Sequence, residues 1–468
     1  MDVQPLTVGP ILGATTGATT RIWGRGEYEQ LQSGPRRCFG VARMRESGQR
    51  FHSPRFFKMN PNFDMTGVVV FDELKPETSY VYQAGWFYSD REPDELEDRL
   101  SLDWNGIPSQ TFTTASEDDS AARSFVFGSC RYVLRLFGGS WFDDRGDKTF
   151  RSILRQINSG VKTDGLLMIG DQIYADDMSF LVPDRSLEQY NERYREVFSQ
   201  RYIRELMSRV PSYMTLDDHE IEDGWPAHAT MKDWMVKYPA AIHAYQTYQA
   251  SHSPLFELAG SRIAGRPDRW WYSYQDGCCD FFVTDTRTER NISDDPDENK
   301  IISDTQMDAL KAWLNDGSGR VKLVASAVPV FPEMMADNSD KWGGFPEQRS
   351  ELLDFIRVND IRRVVFLSGD VHSSLSAELI SPEAQPGFKM ISVISSAYFW
   401  PYPHTSKRSF RLSGTFKSTE SGATYKVVDT GETVSTDNFT RVTADLEKVK
   451  IEVFSRKGKE LSSRSLKF

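Results

Sequence analysis

The stretch GLLMIGDQIYADD (residues 165–177) opens on a short apolar run, turns at Gly170, and presents Asp171 and Tyr174. An apolar run of this length closed by glycine reads as a fully buried strand. A polar side chain just past its carboxyl end stands where α/β folds assemble their sites. The same grammar recurs in both directions along the chain. SFVFGSC (124–130) runs into Cys130, PSYMTLDDHE (211–220) into Asp218 and His219, and RRVVFLSGDVHSS (362–374) into Asp370 and His372. FFVTDTR (281–287) and VKLVASAVP (321–329) read as further strands. FRSILRQIN (150–158), LEQYNERYREVFSQRYIRELMSRV (187–210) and ELLDFIRVN (351–359) have helical spacing. Strands alternating with helices predict an α/β fold. FKMISVISSAY (388–398), FTRVTADL (439–446) and KVKIEVFSRKG (448–458) add late strands.

Upstream the pattern is all-β. TTRIWGR (20–26), RCFGVARM (37–44), TGVVVFDEL (66–74) and SYVYQAGWFY (79–88) are short strand-like runs separated by turn residues, a spacing that suggests a sandwich. ASEDDSAAR (115–123) has neither period and reads as a linker. The expected division is a β-sandwich over 1–118 and a catalytic region over 119–468.

The chain has 468 residues, of which 39% are hydrophobic and 12% aromatic, enough to fill a large core and to exclude a mainly disordered chain. Nothing approaches the ~18 apolar residues of a membrane span. The start, MDVQPLTVGPILG, lacks a basic segment followed by an apolar one, so a cytoplasmic location is expected. Against 67 Asp plus Glu there are 56 Lys plus Arg, a net charge of −11. With no basic block, a nucleic-acid-binding surface is not expected. An anionic substrate must then be attracted locally, by a metal, an arginine or a helix N-terminus. Cys38, Cys130, Cys278 and Cys279 are too few and too badly spaced for a disulfide framework, which fits a reducing compartment.

Four buried strands ending in Cys, Asp, Tyr and His are difficult to explain as packing. Gly128, Gly170 and Gly369 stand just before these residues and allow tight turns. Such a set can hold two cations: oxygen ligands suit Ca²⁺, Mg²⁺ or Mn²⁺, whereas thiolate and imidazole prefer transition metals. Tyr174 discriminates. A phenol of pKa about 10 yields its proton reluctantly to a divalent ion and readily to Fe³⁺. The alternative reading of Tyr174, a packed strand-end aromatic, stands beside this one.

FVFGSCRY (125–132), GDQIYADD (170–177), LDDHEIEDGW (216–225), TDTRTER (284–290) and SGDVHSS (368–374), in that order, resemble the PhoD-type (alkaline phosphatase D) branch of the metallophosphoesterases. The β-rich N-terminal region resembles the sandwich that precedes the catalytic domain there. The resemblance implies a four-layer α/β/β/α catalytic domain with Fe³⁺ and Ca²⁺; Mn²⁺, Zn²⁺ or Mg²⁺ are alternatives at the second site. It implies that Cys130, Asp171, Tyr174 and His372 hold the iron. Asp171 would bridge to a second site with Asp218 and Asp370. Where the wider superfamily has Asn-His-Glu this chain has Asp218, His219 and Glu220, so Asp218 and Asp223 both remain candidates for the second metal.

The reaction implied is hydrolysis of a phosphoester by a metal-activated hydroxide, because a cation lowers the pKa of water from ~15.7 to around neutrality. The substrate would be a small mono- or diester. His219 would donate a proton to the leaving alkoxide, and Arg131 would reach a phosphate oxygen. Asp285 and Arg287 are expected to form a bidentate pair bracing the site. Trp225 and Trp342 either wall the pocket or pack in the core. His228, His243 and His252 read as structural, as do Cys278 and Cys279. The ending EVFSRKGKELSSRSLKF reads as strand and polar tail rather than a covering helix, which predicts an open pocket with capacity for diesters.

Three other readings compete with a phosphatase. The first is a phospholipase D-like phosphodiesterase. The second is a serine hydrolase, disfavoured by the lack of a Gly-x-Ser-x-Gly elbow. The third is a non-catalytic binding protein that keeps the metal cage.

Overall fold

The computed structural model describes the chain except residues 32–33, 36, 91–100, 134, 137–140, 143, 177–183, 260–261, 266, 294, 296–297 and 337–338. Most described strands fall into four larger sheets.

Two of these sheets lie in the N-terminal region. In one, Gln4–Pro5, Ser79–Tyr88, Cys38–Glu46 and Arg55–Lys58 follow in order, with Gln110–Thr113 also paired to Ser79–Tyr88. In the other, Thr20–Arg25 lies between Val8–Thr15 and Thr66–Phe71. Leu12, Ile22 and Val69 of the second meet Ala42, Met44, Tyr82 and Ala84 of the first in one buried cluster.

The remainder is organised by two mixed sheets. A seven-stranded sheet is ordered Ser212–Thr215, Gly165–Ile169, Arg123–Arg131, Asn438–Ala444, Lys448–Ser455 and Glu460–Lys467, and Ser396–Phe399 pairs with Arg123–Arg131 at one end. Its first three strands are parallel, as their continuous apolar runs require. The eight-stranded sheet places Cys279–Val283, Val321–Ser326, Val364–Ser368 and Met390–Ile394 side by side and parallel.

Strand periodicity divides the core. Phe125, Phe127, Leu167 and Ile169 share a cluster with Phe281, Leu323, Val365 and Leu367 of the other sheet. Their neighbours Val126, Leu166 and Met168 turn instead to helical residues Ile153, Tyr194 and Leu206. Val324, Val364 and Phe366 pack on Leu310 and Leu353. Each inner strand is therefore covered on both faces.

Helices form where periodicity places them, over Asp147–Asn158 and Pro346–Val358, and Asp304–Leu314 is a further helix that the sequence reading did not single out. The long helical pattern over 187–210 breaks into Leu187–Phe198, opened by a Ser186–Gln189 capping box, and Arg201–Met207. FKMISVISSAY also divides. Met390–Ile394 belongs to the eight-stranded sheet and Ser396–Phe399 to the seven-stranded one, so Ser395 joins the two.

Candidate metal centre

The carboxyl ends of these strands converge, and the backbone is forced into unusual conformations there. Cys130, Asp171, Asp370 and His372 have φ of 56°, 57°, 67° and 50°. Non-glycine residues held in this left-handed region cluster at functional sites. Gly170 is also at positive φ, 79°. Gly369 acts by close approach: a Cβ there would lie 2.5 Å from Ser129 Cβ and 2.9 Å from the Ile169 carbonyl oxygen.

Among the described His, Cys, Asp and Glu residues, Asp171, Asp218 and His219 have ligand atoms within 4.8 Å of one another, and all three are buried. Cys130 and Tyr174 join through Asp171, whose Oδ2 accepts from Cys130 Sγ at 3.2 Å and from the Tyr174 hydroxyl at 3.4 Å. Asp370 and His372 stand outside the 4.8 Å group but line the same cavity. The His372 ring lies on Trp400, centroids 3.7 Å apart and 17° from parallel. Its backbone N–H donates to Ser396 Oγ, which donates to Cys130 Sγ.

His219 Nδ1 faces Asp176, and Nε2 lies 4.0 Å from Asp223 Oδ1. Burial opposes the charged imidazole, yet Asp218, Asp171 and Asp176 together hold its pKa well above the ordinary value. Burial pushes Asp171 well above the carboxylate range despite His219, with Asp217, Asp218 and Glu220 adding to the shift. Burial likewise raises Cys130, reinforced by Asp171 and Asp370. Burial first, then His219, His404 and Lys341, lower His372 to about 3 and keep it neutral, the ligand form of imidazole.

Two expectations need correction. Arg131 does not reach toward the cavity. Its buried guanidinium donates to the Val197 carbonyl and the Gln200 side chain and lies over the Phe150 ring, so it fastens a strand to two helices. Nor does Arg287 pair with Asp285. Asp285 accepts the backbone N–H groups of Arg287 and Thr288 and closes its own turn. The Arg287 guanidinium makes its bidentate contact with Asp340, at 2.7 and 2.8 Å, and reaches Asp217 at 2.5 Å. A short loop carboxylate cannot be recognised as its partner from spacing alone.

Of the second-site candidates, Asp218 belongs to the buried group, whereas the Asp223 side chain is half-exposed at the cavity. Trp342 is a core residue, its indole N–H on Ser326 Oγ. Trp225 packs against Trp234 and Tyr238. His243 stacks on Phe63, and His252 is fully buried. His228, read as structural, instead lines the cavity. Glu220 is an organiser that sequence reasoning passed over. Its carboxylate accepts the N–H groups of Asp171, Gln172 and Asp217, so one side chain fixes the loops after two strands. Its place in DDHE was the available signal. Asp340 and Lys341 were also missed, for they lie in a loop without periodicity.

The cavity has a volume of about 470 Å³. Asp171 Oδ1 and His372 Nε2 are buried there without a protein hydrogen-bond partner. Orphaned acceptors beside a buried thiol and phenol fit a transition-metal cation, which would offset their charge. The position of Asp218 and Asp370 fits a second ion less well. Asp370 Oδ2 already lies 2.6 Å from Lys341 Nζ. Asp218 accepts from the Gly224 and His219 backbone N–H groups.

A family model described as PhoD-like phosphatase matches residues 134–453. Alkaline phosphatase D of Bacillus subtilis (strain 168) is 27% identical over 224 residues, 42% of this chain; the match spans only 36% of that relative. Among solved structures, that of PhoD is matched with a TM-score of 0.70 at 16% identity, over 99% of this chain and 89% of the other. Purple acid phosphatase PPD1 from yellow lupin (Lupinus luteus) seeds gives 0.61 at 14% identity, over 99% and 74%. These likenesses show a shared, sheet-rich fold with several sheets and few helices.

Proposed function

The chain belongs to the PhoD-like phosphatase family, and from that premise we propose that it hydrolyses phosphoesters in a metal-dependent reaction. The observation that carries this reading is the buried Asp171 carboxylate, in contact with the Cys130 thiol and the Tyr174 hydroxyl and grouped with Asp218 and His219, beside a cavity large enough for a small ester. We read residues 1–118 as a β-sandwich and 119–468 as a four-layer α/β/β/α catalytic unit.

Cys130, Asp171, Tyr174 and His372 would hold an Fe³⁺-type ion. Bound there, it would activate water and polarise the phosphoryl group. The residues of the chain do the rest. His219, oriented by Asp176, donates a proton through Nε2 to the departing alkoxide. Lys341 and His228 line the cavity and would bring donors to phosphoryl oxygens, while Arg290, whose guanidinium is held by Asp340 and the Thr286 carbonyl, adds positive charge to the wall. The Ca²⁺-type position implied for Asp218 and Asp370 is the weaker part of the resemblance, because both carboxylates already have protein partners.

The C-terminal strands Lys448–Ser455 and Glu460–Lys467 form one side of the seven-stranded sheet and line none of the cavity. Diester as well as monoester capacity, and with it the phospholipase D-like alternative, is part of the proposal. The test compares p-nitrophenyl phosphate with bis-p-nitrophenyl phosphate before and after chelation. Turnover of either ester that is lost on chelation and restored by metal is expected. Metal-independent turnover, or none of either ester by metal-loaded protein, would overturn the reading. A diester rate far below the monoester rate would count against the open cavity alone.

A further inference from the structure

Lys341 is 4% exposed, yet it ends inside the cavity rather than at the surface. A buried ammonium persists only when paired. Here Nζ lies 2.6 Å from Asp370 Oδ2 and 3.3 Å from Asp340 Oδ2. Asp370 is the carboxylate to which the resemblance assigns a second metal ion. The other, Asp218, accepts N–H groups from Gly224 at 2.7 Å and His219 at 3.1 Å, with an Arg287 nitrogen 3.7 Å away. Each carboxylate of that position therefore already faces a cationic side chain of the protein.

The loop holds Lys341 in place from both sides. Before it, Asp340 is bound bidentately by Arg287 and again by Arg290. After it, Trp342 is fully buried with its indole N–H on Ser326 Oγ at 3.0 Å. The Lys341 carbonyl accepts from Gly344 N–H at 2.9 Å. At Gly344 a Cβ would fall 2.6 Å from Ser339 Cα, so the turn admits only glycine. With its neighbours anchored, Lys341 has no backbone freedom to leave the cavity.

We propose that the Lys341 ammonium is the second cation of this centre. It stands on Asp370 in the place of a second metal ion, so that the chain binds one metal, at the Cys130, Asp171, Tyr174 and His372 end. A hard divalent ion such as Ca²⁺ needs six to eight oxygen ligands, and Asp370 is a poor ligand for it while an ammonium stands in ion-pair contact with the carboxylate, Nζ 2.6 Å from Oδ2. Lys341 then supplies, without exchange with solvent, the positive charge that would otherwise face the phosphoryl oxygens. This rests on the metal-dependent phosphoesterase reading above.

The test is metal content of the full-length protein, by mass spectrometry after equilibration with Ca²⁺ or Mn²⁺ and gel filtration, with circular dichroism to establish folding. The wild-type protein should retain one metal equivalent per chain under both conditions. Lys341→Met, which keeps the length of the side chain and removes its charge, should gain a second equivalent; Lys341→Arg should stay at one. Calorimetric titration of the iron-loaded wild type with Mn²⁺ should show no further stoichiometric site. Two equivalents in the wild type, or a folded Lys341→Met that stays at one, would overturn the proposal and leave the phosphoesterase reading standing. A wild type that binds no metal and turns over no ester would sink both.

Discussion

His219 presents Nδ1 to both carboxylate oxygens of Asp176, at 3.1 and 3.0 Å. The same carboxylate accepts the backbone N–H of Asp223 at 2.8 Å, so the orienting group is itself fixed to the loop beyond His219. With Nδ1 engaged as a donor, Nε2 is the nitrogen left to face a substrate.

That arrangement predicts a dependence on the leaving group. His219→Ala should lower kcat for an alkyl phosphate by about 10²–10⁴-fold and much less for p-nitrophenyl phosphate, whose phenolate departs without a proton. Asp176→Asn should show the same pattern at smaller amplitude. Equal losses on both substrates would remove His219 from the role of proton donor.

The Tyr174 hydroxyl, 3.4 Å from Asp171 Oδ2 and buried, predicts colour. Protein loaded with Fe³⁺ should show a visible tyrosinate-to-iron charge-transfer band that Tyr174→Phe abolishes. A band that survives the substitution would return Tyr174 to packing. Iron-free protein with full activity would refute the iron assignment itself.

His252 predicts a loss of stability in acid. Its ring is fully buried, with Nε2 3.2 Å from the Tyr248 carbonyl, and burial lowers its pKa to about 4 against an ordinary 6.5. Protonation therefore favours the unfolded chain. The contribution is complete above the ordinary value and fades as pH falls through about 4. Between pH 7 and pH 4 this amounts to about 3 kcal/mol. Urea unfolding of the wild type and of His252→Gln checks it: the stability difference between them should narrow by that amount at pH 4. A constant difference would refute it.

Gly369→Ala should destabilise the protein by about 1–3 kcal/mol and lower metal affinity. The new methyl would press on Ser129, whose hydroxyl accepts from Asp370 N–H at 3.0 Å, and so displace the turn carrying Asp370 and His372. Urea midpoints and metal content report the two effects separately. A fully stable variant with normal metal content would show that the turn has room to shift.

Much of this was legible in the sequence because buried parallel strands are written as continuous apolar runs. The strands before Cys130, Asp171, Asp218 and Asp370 all form where those runs lie. What spacing could not reveal was partnership across the chain. Arg131 follows a candidate ligand yet turns to Val197 and Gln200, because alternate residues of a strand face opposite sides. Arg287 finds Asp340 fifty-three residues away. His228 and Lys341 lie on irregular segments, where no period marks which side faces the cavity. FKMISVISSAY read as a single strand because nothing in its composition marks a change of sheet at Ser395.

That change has a consequence for assembly. Cys130 lies in, and Asp171 and Asp218 follow, strands of one sheet, Asp370 and His372 follow a strand of the other, and the segment through Ser395 is stitched into both. Neither sheet alone carries the whole candidate ligand set, and a chain cleaved at this seam would keep that set together only while the halves stay docked. Metal retention in such a protein would gauge the docked state of the whole molecule.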